Sequence, residues 1–240
     1  MFVRNLTKGF VLKKINTREA DQIFTIYTKD FGKLIILSRA SRKIKSKLRG
    51  GVREFNLSQI EFIQGRNQKT LVDSFIKESF ENIPKSLVKL KIGHKISSVL
   101  IKLTSKEEKD LKIWNLLRDT FKRLNENESL NLDLKNYYYY FWNFIGIIGF
   151  KPSLENCSIC SKKISSSPLY FCPEEGGLVC NNCPRENSSE EISAEVVKII
   201  RIIFKNDWNY FVKLKIKKNH FKLIKKISDF YYSFLLESMK

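Results

Sequence analysis

Histidine is nearly absent from this chain, whose 240 residues hold only His94 and His220. Neither lies in a His-Glu-x-x-His helix, and neither is followed by the x-Glu of a zinc deaminase, which argues against a histidine-based hydrolytic metal site. Gly-x-Gly-x-x-Gly and the phosphate loop ending in Gly-Lys-Ser/Thr are also missing, so two nucleotide-binding signatures drop out. Gly146 and Gly149 fall inside or at the end of an apolar helix, where packing explains them. Long apolar runs are missing too. The longest uncharged stretch, Asn136 to Phe150, is fifteen residues with four tyrosines, short of the roughly 18 to 20 apolar residues that cross a bilayer. Between Met1 and Lys14 no apolar stretch exceeds Phe10-Val11-Leu12, so no signal-peptide core is present and a reducing cytoplasmic setting without a membrane partner is expected. Acidic residues are scarce: 25 Asp and Glu face 44 Lys and Arg, a net charge of +19. That excess argues against neutral metabolites and favours a polyanion, nucleic acid first.

What is present is two Cys-x-x-Cys knuckles, Cys157-Ser-Ile-Cys160 and Cys180-Asn-Asn-Cys183, with nineteen residues between them. Each knuckle offers two thiolates from one tight turn, and two knuckles supply the four sulfurs that tetrahedral Zn²⁺ prefers. Two disulfides are the alternative, and they require an oxidising compartment. A catalytic zinc keeps an open position and often uses histidine, so a closed structural Zn²⁺ held by Cys157, Cys160, Cys180 and Cys183 is expected. Cys172, eight residues before Cys180, reads as a spectator thiol.

The charge is unevenly placed. Arg39 to Arg53 holds seven basic residues and no acid, and Trp208 to Ser228 holds seven lysines and no acid. Arginines and glycines are mixed into the first run. The arginine fork suits phosphate oxygens and Gly50-Gly51 permits close backbone approach. Arg39, Arg42, Lys43, Lys45, Lys47 and Arg49 are therefore the candidate residues for holding nucleic-acid phosphates. The second run reads equally well as a solvated face.

Strand signals fill the first eighty residues: Gly9 to Ile15, Gln22 to Thr28, Lys33 to Ser38, Glu54 to Ile63 and Lys69 to Ile76. A parity switch between Phe55/Leu57 and Ile60/Phe62 suggests a bulge or bend. Five short strands fit a small closed barrel, with the basic run as a mobile surface connection between the third and fourth. Tyr27 and Phe31 are candidates for base stacking if exposed. Helical periodicity then takes over at Leu87, Leu90, His94 and Ile101, and again at Leu111, Trp114, Leu117 and Phe121. Leu134 to Ile148 reads as a buried helix ended by Gly149 and Pro152, which makes the Tyr137 to Trp142 stripe core. Ser188-Ser189-Glu190-Glu191 reads as the start of a helix with Val196, Ile199, Ile200 and Ile203 inward. Phe221, Ile224, Ile227, Tyr231 and Leu235 outline the last one. The expected fold is α+β: a five-stranded closed barrel over 1–80, then an all-α domain over 81–240 carrying a four-cysteine zinc ribbon at 153–187.

The stretch Gly146-Ile-Ile-Gly149-Phe-Lys-Pro152 ahead of Cys157-Ser-Ile-Cys160 resembles the bacterial recombination mediator family RecO. So do Phe31-Gly32-Lys33, Ala40-Ser41-Arg42, Lys45-Ser-Lys-Leu-Arg-Gly50 and Gly176-Gly177-Leu-Val-Cys180. The likeness runs in order from residue 8 to about 200. It implies a non-enzymatic, nucleoid-associated DNA repair and recombination protein with an OB-fold DNA-binding domain and a zinc finger. Such proteins bind single- and double-stranded DNA and anneal complementary strands. They help load the recombinase RecA with RecR, and in some systems RecF, on strands coated by single-stranded DNA-binding protein, whose acidic C-terminal tail some of them bind. The face of Trp114, Leu117, Arg118 and Arg123 has the composition of a groove for that tail but reads better as an ordinary core helix with a solvated edge, so the tail is expected only somewhere on the fragment from about residue 81 to 240. Cys172 departs from the pattern. Two rival functions stand beside this one: an RNA-binding OB-fold protein of the translation apparatus, and a zinc-dependent nuclease, against which the lack of histidine and carboxylate ligands counts.

Overall fold

The computed structural model describes residues 3–105, 107–164, 168–184 and 189–239, the side chain of Arg49 excepted. The chain divides into two compact units, Met1–Asn136 and Tyr137–Lys240.

In the first unit, β1 (Val3–Thr17), β2 (Asp21–Thr28), β3 (Gly32–Ser38), β4 (Leu57–Gln64) and β5 (Lys69–Glu78) form a closed barrel in the order β1-β2-β3-β5-β4. β1 starts earlier than expected because it serves two partners. Its first half pairs with β4 and its second half with β2. The strand must turn sharply between them, and Gly9 lies at the crossing: a Cβ there would sit 2.4 Å from Ile26 Cγ2. A bulge between Val11 and Lys13 completes the turn. The parallel pairing of β3 with β5 at Ile36–Lys69 and Leu37–Thr70 closes the barrel. The parity switch in β4 coincides with a register shift between Leu57 and Ser58, after which Ile60 and Phe62 point into the core with Val11, Phe24, Ile26 and Ile36.

Helices α1 (Asn82–Lys85), α2 (Leu87–Leu103) and α3 (Leu111–Glu126) follow. α2 and α3 begin at side-chain caps: Ser86 accepts from Lys89 N, and Asp110 accepts from the amides of Lys112 and Ile113. The buried face of α2 is Ile92, Ile96, Val99, Leu100 and Leu103, while Leu87 and His94 from the expected stripe are exposed. Phe10 packs on Trp114 and Phe121, with ring centres 5.1 and 5.6 Å apart. Phe55 packs on His94 and Phe121. The barrel and these helices therefore share one aromatic core. The Phe31-Gly32-Lys33 segment has a structural part in this: the buried Lys33 ammonium donates to Ile101 O and Thr104 O at the C-terminus of α2, where a cation complements the helix dipole.

The division between units falls within α4 (Leu130–Ile147). In the second unit α4 is buried along Tyr137–Ile145 and ends as expected, with Gly149 at φ +90° and Phe150 N donating to Ile145 O. A three-stranded sheet in the order β7-β6-β8 is built from β6 (Leu169–Cys172), β7 (Gly177–Cys180) and β8 (Glu190–Ile192). Helices α5 (Ala194–Phe204), α6 (Trp208–Lys213) and α7 (Lys218–Ser238) complete it. The helix expected from Ser188 starts later. Ser188 lies outside the described residues, Glu190 and Glu191 are in β8, and Ser193 caps α5 through Val196 N. The acids pair in a sheet because the β6 edge is there to receive them, which the local sequence does not announce. The core centres on Trp142, which stacks on Tyr231 at 5.8 Å and meets Phe171 and Phe204 edge-on. The aromatic stripe is core, as its periodicity implies.

Candidate nucleic-acid surface and candidate metal centre

The basic connection between β3 and β4 is pinned to the barrel where a mobile surface loop is expected. At its start Ala40 N donates to Asp21 Oδ1 at 2.8 Å, Ser41 Oγ to Gln22 Oε1 at 3.1 Å, and Arg42 N to Ala20 O at 3.0 Å. The Ala40-Ser41-Arg42 motif is thus a turn fastened to the β1–β2 hairpin. Further along, Leu48 packs against the barrel core and Val52 is buried in it. Between them Gly51 lies so close to β5 that a Cβ would stand 2.1 Å from Ser74 O. Leu48 and Val52 alternate with charged neighbours, so burying them turns the cations outward. Arg39, Arg42, Lys43, Lys45 and Lys47 are all exposed. The side chain of Arg49 lies outside the described residues.

A cleft of about 870 Å³ opens beneath this segment. Its cations are Lys14 on β1 together with Arg42 and Arg53 from the connection, against the single carboxylate of Glu54. Arg42 Nη1 donates to Glu19 O at 3.1 Å, which holds the guanidinium at the rim. Asn16, Gln22, Ser41 and Ser46 add neutral hydrogen-bonding groups. At the tip Ile44 is 87% exposed, a large apolar side chain flanked by cations. Lys14 and Arg53 are functional candidates that sequence reasoning passed over. Arg53 was at the end of the basic run, whereas Lys14 belongs here only because the barrel closes.

A second cleft of about 520 Å³ lies over the β2–β3 face, with Ile23, Ile35, Arg66 and Lys69 in its lining. OB-folds often bind oligonucleotides on this face. Here the cations are Lys33, Arg66 and Lys69 against Glu107, the same balance as in the first cleft, but Lys69 is tied to Glu107 at 2.5 Å and the buried Lys33 ammonium is engaged by Ile101 O and Thr104 O. The expected stacking aromatics are absent from both: Tyr27 is 1% exposed, and Phe31 packs edge-on against Phe62. Burial pushes the Tyr27 phenol up to about 12. Trp114 and Leu117 are likewise buried, against Phe10 in the case of Trp114. Arg118 pairs with Asp119. This face is therefore a core helix with a solvated edge, the reading its composition favoured over a groove.

In the second unit Cys157, Cys160, Cys180 and Cys183 converge with all four sulfurs within 4.8 Å of one another. Three of the edges are 3.8, 3.8 and 3.6 Å. A tetrahedron with Zn–S bonds of about 2.3 Å has S···S edges of about 3.8 Å, so the four sulfurs fit that ion. Cys180 N also donates to Cys157 Sγ at 3.4 Å. Burial raises the Cys157 thiol, but backbone N–H groups of Cys160, Cys180 and Ile159 outweigh it and bring it to about 6. Burial and the neighbouring thiols push Cys183 up to about 12. Four thiolates this close require a multivalent cation to ionise together. Cys172, fully buried beside Cys157 and Val179, is not among the four. Arg201 fastens the ribbon to α5, donating to Leu154 O and pairing with Glu155 at 3.2 Å. Among the described residues no other group of three or more His, Cys, Asp and Glu is close enough to hold a metal, and no helix is long and apolar enough to cross a membrane.

Family models match both parts of the chain: Recombination protein O N terminal over residues 1–80, and Recombination protein O C terminal over residues 84–240. Curated relatives include a DNA repair protein RecO of Dehalococcoides mccartyi, 29% identical over 88% of this chain and 83% of its own. Another, from Caldanaerobacter subterraneus subsp. tengcongensis, is 26% identical over 88% and 84%. A third, from Halalkalibacterium halodurans, is 24% identical over 94% and 87%.

Proposed function

The chain belongs to the RecO family of DNA repair proteins, and from that footing we propose that it is a recombination mediator. In this reading it binds single- and double-stranded DNA through the barrel, anneals complementary strands and helps RecR load recombinase. The observation that carries the DNA-binding part is the pinned basic segment over a cleft with three cations and one carboxylate. Phosphates are held there by charge, without any reading of base edges. Arg39, Arg42, Lys43, Lys45, Lys47 and Arg49 supply the first contacts, joined by Lys14 and Arg53. Annealing needs repulsion between two backbones to be neutralised and the paired product then released. Screened lysine and arginine contacts do both without covalent chemistry, so we propose no enzymatic activity. We further propose that the four cysteines hold a structural Zn²⁺.

RecR, RecA, in some systems RecF, and the tail of single-stranded DNA-binding protein are proposed partners on the strength of the family. The Trp114 face is not the tail's site, since its apolar residues are buried. The RNA-binding alternative is not favoured by the relatives.

The test is annealing of complementary strands by the full-length protein against the Arg42→Gln, Lys43→Gln, Lys45→Gln triple variant. Loss of annealing with a normal melting curve is expected. Equal annealing by the two proteins would sink the assignment of the loop.

A further inference from the structure

A second concentration of charge, on α6 and α7 and the segment joining them, has no part in the surface described above. Lys213, Lys215, Lys217, Lys218, Lys222 and Lys225 are all exposed. Among the described residues none of the six has an acidic partner within ion-pair distance, whereas neighbouring Lys226 is tied to Glu190.

Their arrangement is ordered. Leu214 and Lys217 have extended backbone, with ψ of 130° and 153°. Exposure alternates along 213–217, with Leu214 and Ile216 turned partly inward and the three lysines outward. Lysines two residues apart on an extended chain stand roughly 6 to 7 Å from one another. Lys218, Lys222 and Lys225 then continue along one face of α7 at helical intervals of four and three. On α6, Tyr210 is 55% exposed and precedes Lys213 by three residues, on the same face of that helix. The surface carries six exposed cations that follow one another from α6 through the joining segment onto α7, with an exposed aromatic ring three residues before the first.

Stability does not account for it. Lys217 and Lys218 occupy the N-terminal end of α7, where the helix dipole disfavours cations, with no side-chain cap and no acid in the first turn. Nor does the surface suit a bilayer. The apolar side of α7, Ile224, Ile227, Tyr231 and Leu235, is buried in the unit, so only charge faces out and nothing is left to insert. A run of exposed cations without acidic partners, with one exposed ring beside it, matches a nucleic-acid strand, whose phosphates need charge and whose bases stack on aromatics.

We propose that Lys213, Lys215, Lys217, Lys218, Lys222 and Lys225, with Tyr210, form a second strand-binding surface that holds a nucleic-acid backbone independently of the barrel cleft. It rests on the reading of the protein as a DNA-binding mediator and adds the element that annealing requires, one surface for each strand.

The experiment uses the full chain with short single-stranded oligonucleotides at near-physiological salt. Wild type is expected to bind two per chain. The Lys213→Gln, Lys215→Gln, Lys217→Gln, Lys218→Gln variant should bind one, with annealing slowed and the melting curve unchanged. The Arg42/Lys43/Lys45 triple variant should also bind one, through the α6–α7 surface. That remaining class should show a salt slope of about −4 for six contacts at about 0.7 each. Tyr210→Ala should weaken it on the order of tenfold without changing the slope. A wild type that binds one oligonucleotide, or a quadruple-lysine variant that still binds two, overturns the proposal while leaving the barrel assignment standing. If the lysine variant instead loses only phosphatidylserine vesicles and keeps both oligonucleotides, the surface belongs to a membrane and the proposal also fails. If wild type binds none, the mediator reading itself is at fault.

Discussion

Replacing Arg42, Lys43 and Lys45 with glutamine is the sharpest perturbation of the barrel surface. The three side chains are exposed, and Arg42 donates only at the rim, to Glu19 O at 3.1 Å. Exposed exchanges of this kind stay within about 0.5 kcal/mol in stability. The anchors at Ala40, Ser41, Leu48 and Val52 are left intact, so the segment keeps its path. Binding should respond very differently. Each lost phosphate contact removes about 0.7 from the slope of log K against log salt on a single strand, so three remove about 2.1. Between about 50 and 200 mM salt, those contacts alone account for a roughly 20-fold fall in affinity that the variant no longer shows. Fluorescence anisotropy titrations at several salt concentrations, on several unrelated sequences, measure this directly, with a thermal melt as control. All sequences should weaken about equally, because phosphates carry no sequence information. An unchanged slope with an unchanged melt would refute the reasoning.

Val52→Ala removes a buried plug without touching any charge, and should cost about 2 kcal/mol and weaken DNA binding by loosening the segment; a melt combined with anisotropy checks both. Ile44→Ser should leave the salt slope intact but reduce the fluorescence change of a base analogue placed in the strand, if the exposed side chain contacts base faces. Cys157→Ser should abolish stoichiometric metal by elemental analysis and expose the ribbon to protease while the barrel surface keeps its salt slope; full metal retention would reject the four-sulfur site. Tyr231 donates to Phe150 O at 2.7 Å, and burial pushes its phenol from about 10 up to about 12. Its raised value means that stability from keeping it neutral is complete below pH 10 and is lost as pH rises through about 12. A spectroscopic alkaline titration should show this tyrosine ionising only as the second unit unfolds.

The features that depend on near neighbours in the chain were legible without a structure. The spacing from Cys157 to Cys183 announces four converging sulfurs, because the separation within a knuckle is set by one turn. The strands of the barrel show in their alternation, and the end of α4 in Gly149 and Pro152. The family resemblance, carried by several short motifs in order, was also readable there. What depended on closure was not. Tyr27 lies on a strand whose two faces look alike in sequence and Phe31 in the turn that follows it, and only closure of the barrel decides which of their sides is inside. Trp114 and Leu117 read as core more readily than as a binding groove, but that Phe10 of the barrel is what covers Trp114 could be seen only in the fold. Lys14 and Arg53 are distant in sequence and reach one cleft because Leu48, Val52 and Gly51 pin the basic segment across the barrel. The sequence by itself determined which four cysteines cluster, the presence of five strands in the first eighty residues and the sign of the charge. Which side chains face solvent was decided by the tertiary structure, because exposure is a property of what packs against a residue from elsewhere in the chain.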